Sequence, residues 1–453
     1  MSHISIFQPE EGFISSKSTP LPPSFIALKE ACASSQTLLP SLDAFLRGTG
    51  PETLAKLMGP GATEVADFFD TLITNKLGDD PKLRRRTMRL LRSLCGSWGL
   101  LPASYTLQGE FTVQDFIPYA RGGFSYVWPA TMGDKKVAVK VIITADAKLK
   151  KQLSKEAILW KHFKHRNILP LLGVSIKISG NKARNPCLVS PWMKNGSIFL
   201  FAKRYPSFNR FNLLMDVCDG LIYLHSEGFT HGDLKGDNVL IDDEERAVLA
   251  DFGFARIAQI SNWSDPGGTP AYMAPELFKA DRSRSQQLEN AIDVFALGTL
   301  IHEVLSGQKP FHHRKPEVIR ALAMGGKRLE LPLWTSIPNH SIWEMIERCR
   351  TSEPTERPKL SDVRGCLASA SADPPEVWPS PPTSDDSLCG SSPQAKTFVT
   401  GSPYLASFST EPPVNQYASA TGEVGITSAS SQTRLPCGLI RGGSERGNER
   451  REP

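Results

Sequence analysis

From His231 to Leu240 the chain reads HGDLKGDNVL, which sets a carboxylate, an amine and a carboxamide (Asp233, Lys235 and Asn238) within one short stretch. Transfer of a phosphoryl group needs a carboxylate that orients the incoming hydroxyl and an oxygen ligand for a divalent cation nearby. Asp233 and Asn238 are of those two types. Thirteen residues beyond Asn238, in LADFGFA, Asp251 follows an apolar strand-like run, and Gly253 gives the chain freedom to aim it. An amide oxygen plus a carboxylate suits Mg²⁺, which takes few protein ligands and completes its shell with phosphate oxygens and water. Asp, Asn and Lys also gather in ordinary solvated turns, so the decapeptide by itself leaves both readings open.

Upstream, VAVK ends an apolar strand pattern on Lys140, and SKEAILW carries Glu156 on a helical pattern. Alone, such a lysine is a snorkelling surface residue and such a glutamate a solvated helical charge. Taken in order, the segments resemble the lysine strand, helix glutamate, catalytic loop and D-F-G motif of eukaryotic protein kinases. The resemblance runs from about Gln108 to Ser369. It implies that Lys140, held by Glu156, grips the ATP phosphates, that Asn238 and Asp251 hold Mg²⁺, that Asp233 accepts the hydroxyl proton, and that Lys235 stabilises the γ-phosphate. Trp160, His231 and Phe252 fall at the family's apolar packing positions.

The stretch ARGGFSYV resembles the glycine-rich loop and implies nucleotide contacts from Ala120, Arg121, Gly122, Gly123, Phe124 and Val127. Ala120 and Ser125 replace the outer glycines of the family pattern, which implies weakened or altered nucleotide binding. By the same resemblance CLVSPWMKNGS supplies the adenine site: Ser190 as gatekeeper, the Pro191 carbonyl and Met193 amide as hydrogen-bonding groups, with Ala138 and Leu240 against the ring. GGTPAYMAPE resembles the substrate-side loop. Asp293, Gly298, Glu276 and Arg357 match buried anchors, the last two as an ion pair. Lys235, with Thr269 placed to bond it, matches the serine/threonine pattern. HRNILPLLG, LVSPWM and GTPAYMAPE look most like the tyrosine-kinase-like group. Gly232 departs from the family, standing where regulated members carry the arginine that receives an activation-loop phosphate. Two other readings stand beside this one: a pseudokinase scaffold, suggested by Ala120 and Ser125, and a small-molecule phosphotransferase, suggested by H-G-D.

These residues need a scaffold, and the patterning supplies one. Short β-like runs (FTVQDFI, FSYVWPA, KKVAVKVII) precede longer helical patterns beyond Leu200, an order that predicts a two-lobed α+β domain with a β-rich small lobe and a helical large lobe over 108–370. Residues 24–107 read as a small helical region of unknown role. Its LRRRTMRLLRSL segment forms a basic amphipathic helix over 82–94, either contacting an acidic partner or lipid surface or packing on its neighbours. The leader, 1–23, and the Ser-, Pro- and Gly-rich tail, 371–453, read as disordered.

Hydrophobic residues make 40% of the 453, and the net charge of +5 is mild, so nothing demands a nucleic-acid partner. The cysteines (Cys32, Cys95, Cys187, Cys218, Cys349, Cys366, Cys389, Cys437) form no C-x-x-C pair or dense framework, which predicts a reducing, cytoplasmic setting. No secretory signal pattern opens the chain. The most apolar segment, Ala291 to Leu305, is interrupted by Asp293, His302 and Glu303 and reads as a buried helix rather than a membrane span.

Overall fold

The computed structural model describes residues 20–57, 59–78, 80–107, 111–113, 119–121, 125–142, 147–175, 186–252, 256–257, 269–278, 286–312, 314–324, 340–376 and 378. The leader up to residue 19 and the tail from 379 lie outside them.

The predicted helical region is formed by α1 (Pro23–Ala31), α2 (Ser35–Arg47), α3 (Gly50–Leu54), α4 (Pro60–Asn75) and α5 (Pro81–Trp98). In α4 the buried Val65, Ala66, Phe69, Leu72 and Ile73 recur at helical spacing and make one inward stripe. Phe69 is fully buried between Phe25 and Phe45, at centroid distances of 6.1 and 6.2 Å. Truncating it to alanine would cost about 3–5 kcal/mol. At the start of α5 Asp80 accepts the Leu83 N–H at 2.9 Å, and Pro81 takes a position whose N–H has no helical partner. At its end Gly99, at φ 69°, donates to the Cys95 carbonyl at 2.8 Å, a left-handed stop that favours glycine.

The basic side of α5 is used inside the molecule. Arg84 pairs with Glu227, Arg85 bonds the Ser226 carbonyl and Arg86 pairs with Asp43. Desolvation lowers the Arg92 guanidinium to about 10. Of the two readings left open for this helix, the described contacts belong to packing on neighbours, and the acidic groups that Arg84 and Arg86 meet are the chain's own.

The small lobe is a sheet of β1 (Thr112–Val113), β2 (Ala120–Arg121), β3 (Ser125–Met132), β4 (Lys135–Ile142), β5 (Gly173–Ser175) and β6 (Cys187–Pro191), in the order β1-β3-β4-β6-β5, with β2 also on β3. Strand alternation sets the chemistry here. Val137, Val139 and Val141 are buried in the lobe's core, so Ala138 and Lys140 face the opposite side. The helix α6 (Ala147–His162) stands between β4 and β5 in sequence and packs along α5.

The large lobe holds α7 (Ile198–Arg204), α8 (Arg210–Ser226), the strands β7 (Phe229–Thr230), β8 (Val239–Ile241), β9 (Ala247–Leu249) and β10 (Arg256–Ile257), then α9 (Gln286–Ser306), α10 (Pro316–Met324), α11 (His340–Cys349) and α12 (Leu360–Ser371). The expected two-lobed α+β architecture is therefore the observed one. Within α9 the segment 291–305 is buried on every side, as a helix at the centre of a lobe must be. No helix among the described residues is long and apolar enough to cross a membrane.

Beyond the boundary expected at 370, one residue packs on the large lobe. Trp378 is 1% exposed; its backbone N–H donates to the Pro206 carbonyl at 3.1 Å, and its ring lies edge-on to Phe211 at 5.0 Å and beneath the Arg210 guanidinium at 5.3 Å. Composition predicted disorder from 371 because the segment is rich in Ser and Pro. One large aromatic with a waiting cation and ring overrides that average, since a buried tryptophan brings 150–250 Å² of apolar surface.

Candidate active site

The loop from β7 to β8 is hung from α9. Asp293, fully buried, accepts the His231 N–H at 2.8 Å and the Gly232 N–H at 2.9 Å, and its carboxylate also meets His225 Nε2 at 2.8 Å. Burial works to raise the Asp293 carboxyl, but these donors outweigh it and hold it low. Gly232 sits at φ 80°, where a side chain would be strained. Gly236 sits where a Cβ would lie 2.6 Å from the Glu303 carboxylate, so only glycine lets this turn approach α9 so closely.

Held this way, Asp233 gathers the polar groups around it. Its Oδ2 accepts from Lys235 Nζ at 2.9 Å and Asn238 Nδ2 at 3.1 Å, and its Oδ1 accepts the Thr269 N–H at 3.1 Å. Lys235 Nζ also donates to Thr269 Oγ1 at 2.8 Å. Asn238 Nδ2 donates again to the Asp233 carbonyl at 2.8 Å, which leaves its Oδ1 as the atom offered to a cation.

The second cluster forms where β4, α6 and the end of β9 converge. Lys140 Nζ donates to Asp251 Oδ1 at 2.8 Å and to Glu156 Oε1 at 3.3 Å. Burial alone would lower the Lys140 ammonium, but Asp251 and then Glu156 more than offset it and hold it above the ordinary lysine value. Desolvation likewise works to raise Asp251, but Lys140 outweighs it and holds that carboxyl down at about 2. Glu156 is held above the ordinary glutamate range: its burial, reinforced by the Asp251 charge, exceeds the pull of Lys140. Asp251 takes φ 63°, a left-handed backbone that turns its carboxylate towards Lys140. The Phe252 ring, next in the chain, packs against Trp160, Phe163 and His231 at centroid distances of 5.9, 5.4 and 5.5 Å. The three residues expected to pack together do so, with Phe163 as a fourth.

The donor set fits Mg²⁺. Asn238 Oδ1 and the Asp251 carboxylate are hard oxygens, and Asp251 keeps 40% of its side chain exposed. No cluster of three or more His, Cys, Asp or Glu among the described residues offers a competing cage.

On the nucleotide side, Ala138 is paired in register with Ser190, and Val127 with Lys140. Met193 accepts the N–H of Gly196 at 3.1 Å, and the neighbouring Ser197 is bridged to Leu240. β6 therefore delivers Ser190 and Pro191 to the strand that carries Ala138 and Lys140, and Leu240 is bridged to the chain four residues past Met193. Ala120 and Arg121 form β2, paired with Val127 and Tyr126. Gly122, Gly123 and Phe124, like Gly253, Ser261, Ser264 and Gly267, lie outside the described residues.

The Glu276–Arg357 pair is buried and bidentate, at 2.6 and 2.8 Å. Gly298 admits Cys349, whose Cβ would stand 2.8 Å from an added methyl. Two contacts escaped the sequence reading. Tyr272 donates to Glu303 Oε2 at 2.7 Å, tying the substrate-side loop to α9, and exposed Tyr119 packs edge-on to Trp192 at 5.0 Å beside the hinge. The first joins residues far apart in sequence and has no local signal. An aromatic just before the glycine-rich stretch was the only hint of the second.

The family model described as protein kinase domain matches residues 120–365. The chain is 34% identical over 283 residues to receptor-interacting serine/threonine-protein kinase 3 of Rattus norvegicus, covering 57% of this chain and 56% of that protein. It is 27% identical over 252 residues to serine/threonine-protein kinase STY46 of Arabidopsis thaliana, covering 54% and 42%, and 28% identical over 259 residues to serine/threonine-protein kinase CTR1 of the same plant, covering 54% and 30%. The chain spans about half the length of the curated relatives it matches, or less. With more than half of its residues under one family model and a two-lobed fold around the Lys140 and Asp233 clusters, the chain belongs to the protein kinase family, among relatives named as serine/threonine kinases.

Proposed function

We propose that this chain transfers the γ-phosphoryl group of Mg-ATP to serine or threonine hydroxyls of protein substrates, in cytoplasmic signalling, as a member of the tyrosine-kinase-like group. The observation that carries this reading is the Asp233 cluster, in which one carboxylate meets Lys235, Asn238 and Thr269 together. Asp233 orients the acceptor hydroxyl and takes its proton; Lys235, within reach of both Asp233 and Thr269, meets the charge that develops on the transferred group. Lys140, aimed by Glu156, binds the phosphates of ATP. Asn238 and Asp251 would hold Mg²⁺, which when bound neutralises phosphate charge. The hinge from Ser190 to Met193, with Ala138 and Leu240, takes the adenine.

The assembled lysine, glutamate and two aspartates argue against a pseudokinase. The buried Glu276–Arg357 pair, which the family resemblance ties to peptide binding, argues against a small-molecule phosphotransferase. Cys32, Cys95, Cys187, Cys218, Cys349 and Cys366 are free, which suits a reducing compartment. The test is phosphate transfer from labelled Mg-ATP to a generic protein substrate, followed by phospho-amino-acid analysis. Label on serine and threonine that disappears in Asp233→Asn supports the reading; binding of ATP with no transfer under any metal condition overturns it.

A further inference from the structure

Glu156 acts only where α6 puts it. On α6 the residues Lys151, Lys155, Ile158 and His162 recur at intervals of three and four and make one stripe. That stripe bears on the helical region that precedes the kinase fold. A Cβ on Gly96 of α5 would lie 2.6 Å from Lys155 Cγ, so this glycine lets α5 and α6 close on each other, and Lys151 lies against Gly99 at the end of α5. The Tyr105 hydroxyl reaches the Ile158 carbonyl at 3.5 Å. His162, 3% exposed, has Nε2 at 3.0 Å from Oδ1 of Asp70, itself 7% exposed, and Ser104 donates to the other Asp70 oxygen at 2.7 Å.

The same helical region also grips the large lobe. Arg84 donates to the His162 carbonyl at 2.8 Å and pairs with Glu227, just past α8, while Arg85 bonds the Ser226 carbonyl. One guanidinium therefore ties the last carbonyl of α6, where a cation is favoured, to the lobe that carries Asp233. Any outward swing or rotation of α6 would break the buried Asp70–His162 contact and the Arg84 bridge together. Exposing or orphaning such buried polar groups is costly.

We propose that the helical region over 23–105 is a built-in clamp on α6, and that Asp70 and Arg84 are positioning residues that keep Glu156 within reach of Lys140. Asp70 acts through His162, and Arg84 through the end of α6 and Glu227. The clamp rests on the proposed phosphotransfer only for its consequence in turnover; the hold on α6 itself is independent of that reading.

The experiment uses the full chain with Asp70→Ala, Arg84→Ala and Glu227→Gln, each alone and combined with Glu156→Gln. It measures kcat and KM for ATP together with amide exchange of peptides covering 147–162. The clamp predicts faster exchange through α6 and a loss of about tenfold in kcat for Asp70→Ala, smaller for the other two. In the Glu156→Gln background each should cost less than about twofold more, because residues acting through one contact are not additive. Losses that multiply in the double variants overturn the proposal, since they place the effect elsewhere than Glu156. Unchanged exchange in α6 overturns it as well, and this arm holds even if the chain transfers no phosphate. Should Asp70→Ala fail to fold, Glu227→Gln decides from the large-lobe side, where only the Arg84 bridge is touched.

Discussion

The two halves of the active site are held in different ways. Asp233, Lys235 and Asn238 stand on a loop whose backbone is bound by a buried carboxylate of a core helix, and Asp233 alone accepts from three neighbours. Lys140 and Glu156 come from a strand and a helix and meet at 3.3 Å, and that helix leans on a region outside the kinase fold. The first half is pre-organised by the large lobe. If the proposed clamp on α6 holds, the second depends on where that helix is held, and loosening it should disturb Lys140 and Glu156 before Asp233.

The largest expected effects test the chemistry of each half. Asp233→Asn should lower turnover by about 10²-fold or more, as loss of a positioned base does, while melting stays near wild type because Asp293 still holds the loop. Near-normal turnover would remove Asp233 from its role. Lys140→Met should abolish measurable transfer in a chain that still melts cooperatively; retained activity would place the phosphate grip elsewhere.

Next in size is a stability effect on the large lobe. Trp378→Ala should cost about 3 kcal/mol and lower the melting temperature by roughly 6 °C or more. Truncation just before Asp373 should do the same, whereas truncation after residue 378 should not. A truncation at 372 that melts like the full chain would show that this tryptophan anchors nothing.

A smaller effect separates the halves by pH. The Asp251 carboxyl, held at about 2 by Lys140, lies below its unfolded value near ~3.9. Its contribution to stability is therefore complete above about pH 4 and is lost as pH falls towards 2. The difference in melting temperature between wild type and Asp251→Asn should stay constant from pH 8 to 5 and shrink only below that. A difference that changes between pH 7 and 6 would mean Lys140 does not hold the group.

The smallest expected change concerns Gly232. A phosphate on the activation loop is received by an arginine through charge-assisted hydrogen bonds, and Gly232, bonded through its N–H to Asp293, has no side chain to offer. Phosphatase treatment, and the Ser261→Ala, Ser264→Ala double variant, should each leave turnover within about tenfold, or ~1.4 kcal/mol of barrier. A larger loss in both would mean that another cation reads the phosphate, and that control falls on the large-lobe half after all.

Much of the site was legible because its residues act close to one another in sequence. HGDLKGDNVL and LADFGFA bring the proposed base, lysine and cation ligands within about twenty residues of one another, and the alternation in VAVK puts Lys140 on the face away from the buried valines. The glycines could be noticed in the sequence but not explained. Gly236 is required by Glu303 and Gly96 by Lys155, and both reasons lie on other elements.

Strand and helix periodicity was enough to expect the two-lobed architecture, and the resemblance of ordered motifs to protein kinases was enough to expect which groups would meet in the site. Only the tertiary structure decided that Arg84 would meet Glu227, 143 residues away, that Asp70 would meet His162, and that Trp378 would close over Arg210 and Phe211. A charge or an aromatic ring in the sequence shows what it could pair with. Which partner it receives depends on which surfaces the packed helices bring within a few ångströms, and no local pattern encodes that.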